Sequence, residues 1–82
     1  MLLNQDEQYA KAIVALKKAI EIGVRNTGRL NQSIAESYFY LGKYKQSYAY
    51  IQKALKDPKT RRSAKGWVSF IKDTAKRKKV TI

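Results

Sequence analysis

Leu30-Asn-Gln-Ser-Ile34-Ala35-Glu-Ser-Tyr38-Phe39-Tyr40-Leu41-Gly42-Lys43-Tyr44-Lys-Gln-Ser47-Tyr48-Ala-Tyr-Ile51-Gln-Lys-Ala54-Leu55 is the stretch on which the fold turns. Leu30, Ile34, Ala35, Tyr38 and Leu41 recur at helical spacing, and strict alternation, the mark of a strand, is absent. Gly42 ends that stripe, and a second one, Tyr44, Ser47, Tyr48, Ile51, Ala54 and Leu55, begins almost at once. So short a connection admits only an antiparallel helical hairpin.

The same reading extends in both directions. Upstream, Tyr9, Ala12, Ile13, Leu16, Ala19 and Ile20 mark an amphipathic helix, with Asn4 as its N-cap, Glu7 able to reach back to that cap, and Gly23 as its stop. Gly23 to Gly28 is a short turn. Downstream, Asp57 is placed to cap a fourth helix with Pro58 at its first position, where a missing N–H costs nothing. The core stripe of that helix is Ala64, Trp67, Val68, Ile71 and Ala75, and it frays into Lys76-Arg77-Lys78-Lys79. The expectation is an all-α single domain over 1–82, with helices at about 5–22, 28–41, 44–56 and 58–77 and a basic tail at 76–82.

Helix one and helix three are related by an internal shift. Tyr9-Ala-Lys-Ala12-Ile-Val-Ala-Leu16-Lys-Lys-Ala19-Ile sets over Tyr44-Lys-Gln-Ser47-Tyr-Ala-Tyr-Ile51-Gln-Lys-Ala54-Leu at 35 residues. Helix two sets over helix four at 33, with Ile34 on Trp67, Ala35 on Val68 and Tyr38 on Ile71. An average period of 34 in helix-turn-helix units is the spacing of tetratricopeptide arrays.

Ile34-Ala35-x-x-Tyr38-x-x-x-Gly42-x-Tyr44-x-x-Ser47-x-x-x-Ile51-x-x-Ala54-x-x-x-Pro58 resembles one complete tetratricopeptide repeat, and the resemblance, with a half-repeat on either side, covers about residues 7–75. Three positions depart from the family: Asn31 stands where Trp is usual, Ser47 where Ala is usual, and Asp57-Pro58 arrives one residue early. Lys56-Asp57-Pro58-Lys59-Thr60 followed by Trp67 is similar to the closing segment of tetratricopeptide proteins of proteobacterial envelopes. What the resemblance implies is a right-handed array of antiparallel hairpins serving as a protein-interaction module or scaffold. A periplasmic setting is implied if the chain is a piece of such an envelope protein, and a cytoplasmic one if it is complete. Because the pattern starts in mid-repeat, either a longer array or a homo-oligomer is expected to cover the apolar side of helix one.

Composition bounds the chemistry. There is no Cys and no His, which removes the usual nucleophile and base pairs and the commonest transition-metal ligands. The six acids are scattered, and no Gly-rich phosphate loop occurs, so an enzyme is not expected and no cofactor or metal is implied. Eighteen Lys and Arg face six Asp and Glu, for a net charge of +12. Residues 1–42 carry a net of only +1, whereas residues 43–82 hold thirteen bases against Asp57 and Asp73. An acidic partner is the natural inference, and a solvated basic surface is the plain alternative. Nucleic acid or another polyanion is the rival partner, on charge alone and without an accompanying recognition motif. No apolar run approaches the length of a membrane span.

Small residues at Ala12, Ala19, Ala35, Ser47 and Ala54 read as close-contact positions, and Trp67 reads as core. Phe39 and Tyr40 flank Tyr38, and one helix cannot aim three successive residues into one core, so at least one of them should be partly exposed. The family's first helices line its concave surface. Carried onto this chain, that implies a peptide-binding face of Arg29, Gln32, Glu36, Phe39 and Tyr40 on helix two and Arg62, Lys65, Ser69 and Lys72 on helix four. Such a face suits a peptide that supplies carboxylates to the cations and an apolar side chain to the aromatics.

Overall fold

A computed structural model of the chain describes residues 5–23 and 25–82. Four helices follow one another, α1 (Gln5–Ile22), α2 (Thr27–Tyr40), α3 (Tyr44–Leu55) and α4 (Arg61–Arg77), and among the described residues there is no strand. Extensive packing runs only between consecutive helices. Side chains bridge alternate ones: Lys17 of α1 lies 5.4 Å from the Tyr50 ring of α3, and Phe39 of α2 lies 4.9 Å from Phe70 of α4. The helices therefore form two layers, α1 beside α3 and α2 beside α4, in a slab 39 × 36 × 16 Å.

Left-handed residues at the carboxyl ends of α1, α2 and α4 close those helices, and a fourth, Asn26 at φ 64°, precedes α2. Gly23, at φ 92°, donates its N–H to Ile20 and closes α1. After α2, Gly42 at φ 78° donates to the Phe39 carbonyl and Lys43 to the Tyr38 carbonyl, the paired bonds of a Schellman stop, so the α2–α3 turn needs no further residues. The basic run is not frayed: Lys79 takes φ 58° and the Val80 N–H reaches the Ala75 carbonyl at 2.8 Å, a second stop of the same kind. Lys76 and Arg77 occupy the last turn of α4, where cations meet the negative end of the helix dipole. The expected cap Asn4 lies outside the described residues.

The fourth helix begins at Arg61, three residues later than expected. Asp57 does not cap it. Its carboxylate accepts the Lys59 N–H at 3.0 Å, the Thr60 N–H reaches the Asp57 carbonyl at 3.1 Å, and the Thr60 hydroxyl donates to the Ala54 carbonyl at 2.7 Å. Asp57-Pro58-Lys59-Thr60 is thus a turn that satisfies the carboxyl end of α3, with Pro at the position where its fixed φ suits a turn.

The main core cluster lies where α2, α3 and α4 meet and consists of Ala35, Ile51, Ala54, Ala64 and Ile71, walled by Phe39, Tyr48, Tyr50, Leu55, Trp67 and Val68, with Ile13, Ile34 and Ala75 buried as well. Alanines at the crossings let the helices approach, and isoleucines fill the spaces between. Ser47 is also fully buried, and its hydroxyl donates to the Ala35 carbonyl at 2.7 Å, so a polar residue is accommodated at a close-contact position. Since that carbonyl keeps its helical partner, Ser47→Ala should change stability by only about 1 kcal/mol or less, as read from a urea melt.

Candidate functional site: the cleft between α2 and α4

A cleft follows α2 and α4 from their N-terminal ends. Its first part, about 360 Å³, is lined by Asn26, Arg29, Gln32, Asp57, Lys59, Thr60 and Ser63. Gln32 and Ser63 also line the next part, together with Gly66, Trp67 and Phe70. The cleft is therefore polar and cationic at one end and aromatic at the other. A helix rises about 1.5 Å per residue, so Ser63 to Phe70 covers about 10 Å, the reach of three or four extended peptide residues.

The aromatic end is continuous across the layer. Phe39 meets Trp67 at 5.6 Å and Tyr44 at 5.5 Å in edge-on geometry, and Trp67 meets Phe70 at 5.8 Å. Tyr40 touches Trp67 edge-on at 6.3 Å and stacks on Tyr9 of α1 at 5.1 Å. Tyr40 and Phe70 remain 54 % and 49 % exposed, large values for rings in a packed cluster. At the junction of the two parts, the Gln32 side-chain oxygen is buried without a hydrogen-bond donor among the described residues. A buried acceptor left open beside a cleft is a place for a ligand N–H.

Of the residues that the sequence reading selected, Arg29 and Gln32 line this cleft, and Phe39 packs against its rings Trp67 and Phe70. Glu36 lies one stripe over, in a groove between α1 and α2 with Tyr9, Ala12, Ala15, Leu16, Ser33, Ser37 and Tyr40. On α4 the cleft is lined by a different stripe. A helix turns about 100° per residue, and with Ala64, Ile71 and Ala75 in the core, the side next to α2 is Ser63, Gly66, Trp67 and Phe70. Arg62, Lys65 and Ser69 are exposed on the adjacent stripe, and Lys72 reaches the other way, 5.6 Å from the Tyr48 ring of α3. Trp67, read as core, does pack on the core but also walls the cleft. Phe70 escaped the sequence reading, although its position three residues after Trp67 was the available signal.

A second cluster lies on the α1–α3 side. The Lys17 ammonium donates to the Tyr38 hydroxyl at 2.7 Å and lies over the Tyr38 and Tyr50 rings, while Lys53 lies 4.5 Å over Tyr50. The bond to Tyr38 raises the Lys17 pKa. These contacts tie the two helices of that layer and leave the cations at the surface.

Burial raises the Glu36 pKa above the usual carboxylate value, and no cation pairs with it among the described residues. With the folded pKa above the unfolded one, the native state holds the proton more tightly, so the fold loses stability as pH rises through this window. Glu36→Gln should therefore raise the urea midpoint at neutral pH and leave it unchanged well below pH 4.5, the unperturbed value. An equal gain at both pH values would mean that charge plays no part.

Among the described residues no helix is long and apolar enough to cross a membrane, and no group of acidic side chains is placed to hold a metal. Compared with protein-family models, curated proteins and solved structures, the chain matches none.

Proposed function

We propose that this chain is a protein-interaction module of tetratricopeptide-like, right-handed design that holds an extended acidic peptide in the cleft between α2 and α4. The observation that carries the reading is the polarity of that cleft, with Arg29 and Lys59 beside Asp57 at one end and Trp67 and Phe70 at the other. A carboxylate at the cationic end and an apolar side chain among the rings would be about 10 Å apart on an extended chain. The open Gln32 oxygen between them suits a peptide N–H. The thirteen bases of the second half find no acidic partner among the described residues, which supplies long-range attraction for an acidic ligand.

The test uses a fluorescein-labelled extended peptide carrying paired glutamates and a leucine three residues on, with the single tryptophan, Trp67, as internal reporter. Binding should shift Trp67 emission. Phe70→Ala, which truncates a half-exposed ring, and Arg29→Glu should each weaken it about tenfold or more, on the scale of a binding hot spot. Arg62→Glu with Lys65→Glu, on the neighbouring stripe, should act only through overall charge and fade with added salt. Unchanged affinity in both cleft variants would dismiss the cleft. Affinity that instead collapses by orders of magnitude with salt, for any polyanion alike, would transfer the function to nucleic acid.

A further inference from the structure

We propose that two copies of this chain pair through α1 about a two-fold axis, each seating the other's α1 in the groove between its own α1 and α2. The first observation comes from the internal repeat. Ala12, Leu16 and Ala19 of α1 stand at the register positions of Ser47, Ile51 and Ala54 of α3. In α3 these three residues are wholly buried, and Ser47 is close enough to α2 to bond the Ala35 carbonyl. In α1 the same positions are only half-buried among the described residues. Ala12 and Leu16 line a groove of about 540 Å³ with Tyr9, Ala15, Ser33, Glu36 and Tyr40. Among the described residues, the repeat thus sets a helix seat between α1 and α2 whose lining is only partly covered.

Charge then selects the occupant. The opposite end of the slab is α4, with Arg61, Arg62, Lys65, Lys72, Lys76 and Arg77 against Asp73 alone, and a second copy cannot approach it without setting cation against cation. The α1–α2 half is almost neutral, so two copies can meet there and keep both cationic ends apart. The approaching α1 also matches the groove. It brings the small stripe Ala12, Ala15, Ala19 for close approach, Leu16 and the 73 % exposed Ile22 for burial, and Lys11 and Lys18 flanking that stripe to face the unpaired Glu36. A contact in which the same patch serves both partners closes at two copies.

Light scattering with mass determination on the full chain, over a wide range of concentration, should show a monomer giving way to twice its mass and nothing larger. Ala15→Glu, at an exposed position in the middle of the stripe, should weaken the pairing about tenfold or more without loss of helical circular dichroism. Lys65→Glu on α4 should leave it unaltered. Because the chain has no cysteine of its own, Ala15→Cys should oxidise to a covalent dimer while Lys65→Cys does not. A chain that stays monomeric throughout, a dimer indifferent to Ala15→Glu, or growth beyond two copies would each overturn the proposal, the last in favour of head-to-tail stacking. The α2–α4 cleft and its peptide test are unaffected by any of these outcomes.

Discussion

Ile51→Ala should remove about 3–4 kcal/mol of stability, the largest single loss expected in this chain. Ile51 is fully buried between α2 and α4, in contact with the alanines at which the helices cross. Truncation leaves a void bounded by backbones that already approach closely at Ala35, Ala54 and Ala64, so the walls have little room to collapse and the cavity penalty adds to the transfer cost. A chain of 82 residues has a total stability of about 4–12 kcal/mol on the usual per-residue scale. The loss is thus a large share of the whole and should lower Tm by on the order of 15 °C. Val14→Ala, on the outward side of α1 at 68 % exposure, should change stability by about 0.5 kcal/mol or less. A loss below about 1 kcal/mol at Ile51 would mean that the core repacks freely and that the slab is less rigid than its crossings imply.

The second large effect is a reversal of sign between two glycines. Gly66 lies within α4, and an added Cβ there meets nothing, so Gly66→Ala should stabilise by about 1 kcal/mol through helix propensity alone. Gly28 lies in the first turn of α2, where the same propensity applies, yet a Cβ would overlap the Cβ, Cγ and Oδ2 atoms of Asp57. Asp57 cannot move aside cheaply, because its carboxylate accepts the Lys59 N–H and its carbonyl the Thr60 N–H in the turn that opens α4. Gly28→Ala should therefore destabilise by about 2 kcal/mol, the scale of an overpacked site. Urea midpoints of the two variants should move in opposite directions. If both rise, Gly28 and Asp57 are not in contact in solution. If Asp57→Gly, which removes the obstructing Cβ, costs less in the Gly28→Ala background than in the parent, the contact is confirmed by its non-additivity.

That contact joins the start of α2 to the turn after α3, and it is also the floor of the polar end of the cleft, where Asp57 and Lys59 face Asn26 and Arg29. One close approach thus sets both the spacing of α2 and α4 and the width of the candidate site. A larger residue at position 28 would be expected to disturb peptide binding as well as stability.

Helix stripes, the hairpin at Gly42 and the 34-residue period were legible in the sequence, because they rest on local rules: apolar spacing decides which residues face inward, and glycine decides where a helix can stop. The start of α4 was not legible. Asp before Pro satisfies the rules for a helix cap and for a turn equally well, and the structure takes the turn, in which the Asp57 carboxylate accepts the Lys59 N–H and the Thr60 hydroxyl donates to the Ala54 carbonyl. The cleft was half legible. Its α2 side follows from one helix wheel, but the stripe that α4 offers depends on how α4 is rotated against α3, which Ala64, Ile71 and Ala75 fix only once α3 is in place. By itself the sequence determined the elements and the uneven charge of this protein, since both are properties of the chain. Tertiary structure alone decided that Trp67 and Phe70, not Arg62, Lys65, Ser69 and Lys72, stand opposite α2, because helix rotation is set by the closest approach of residues distant in sequence.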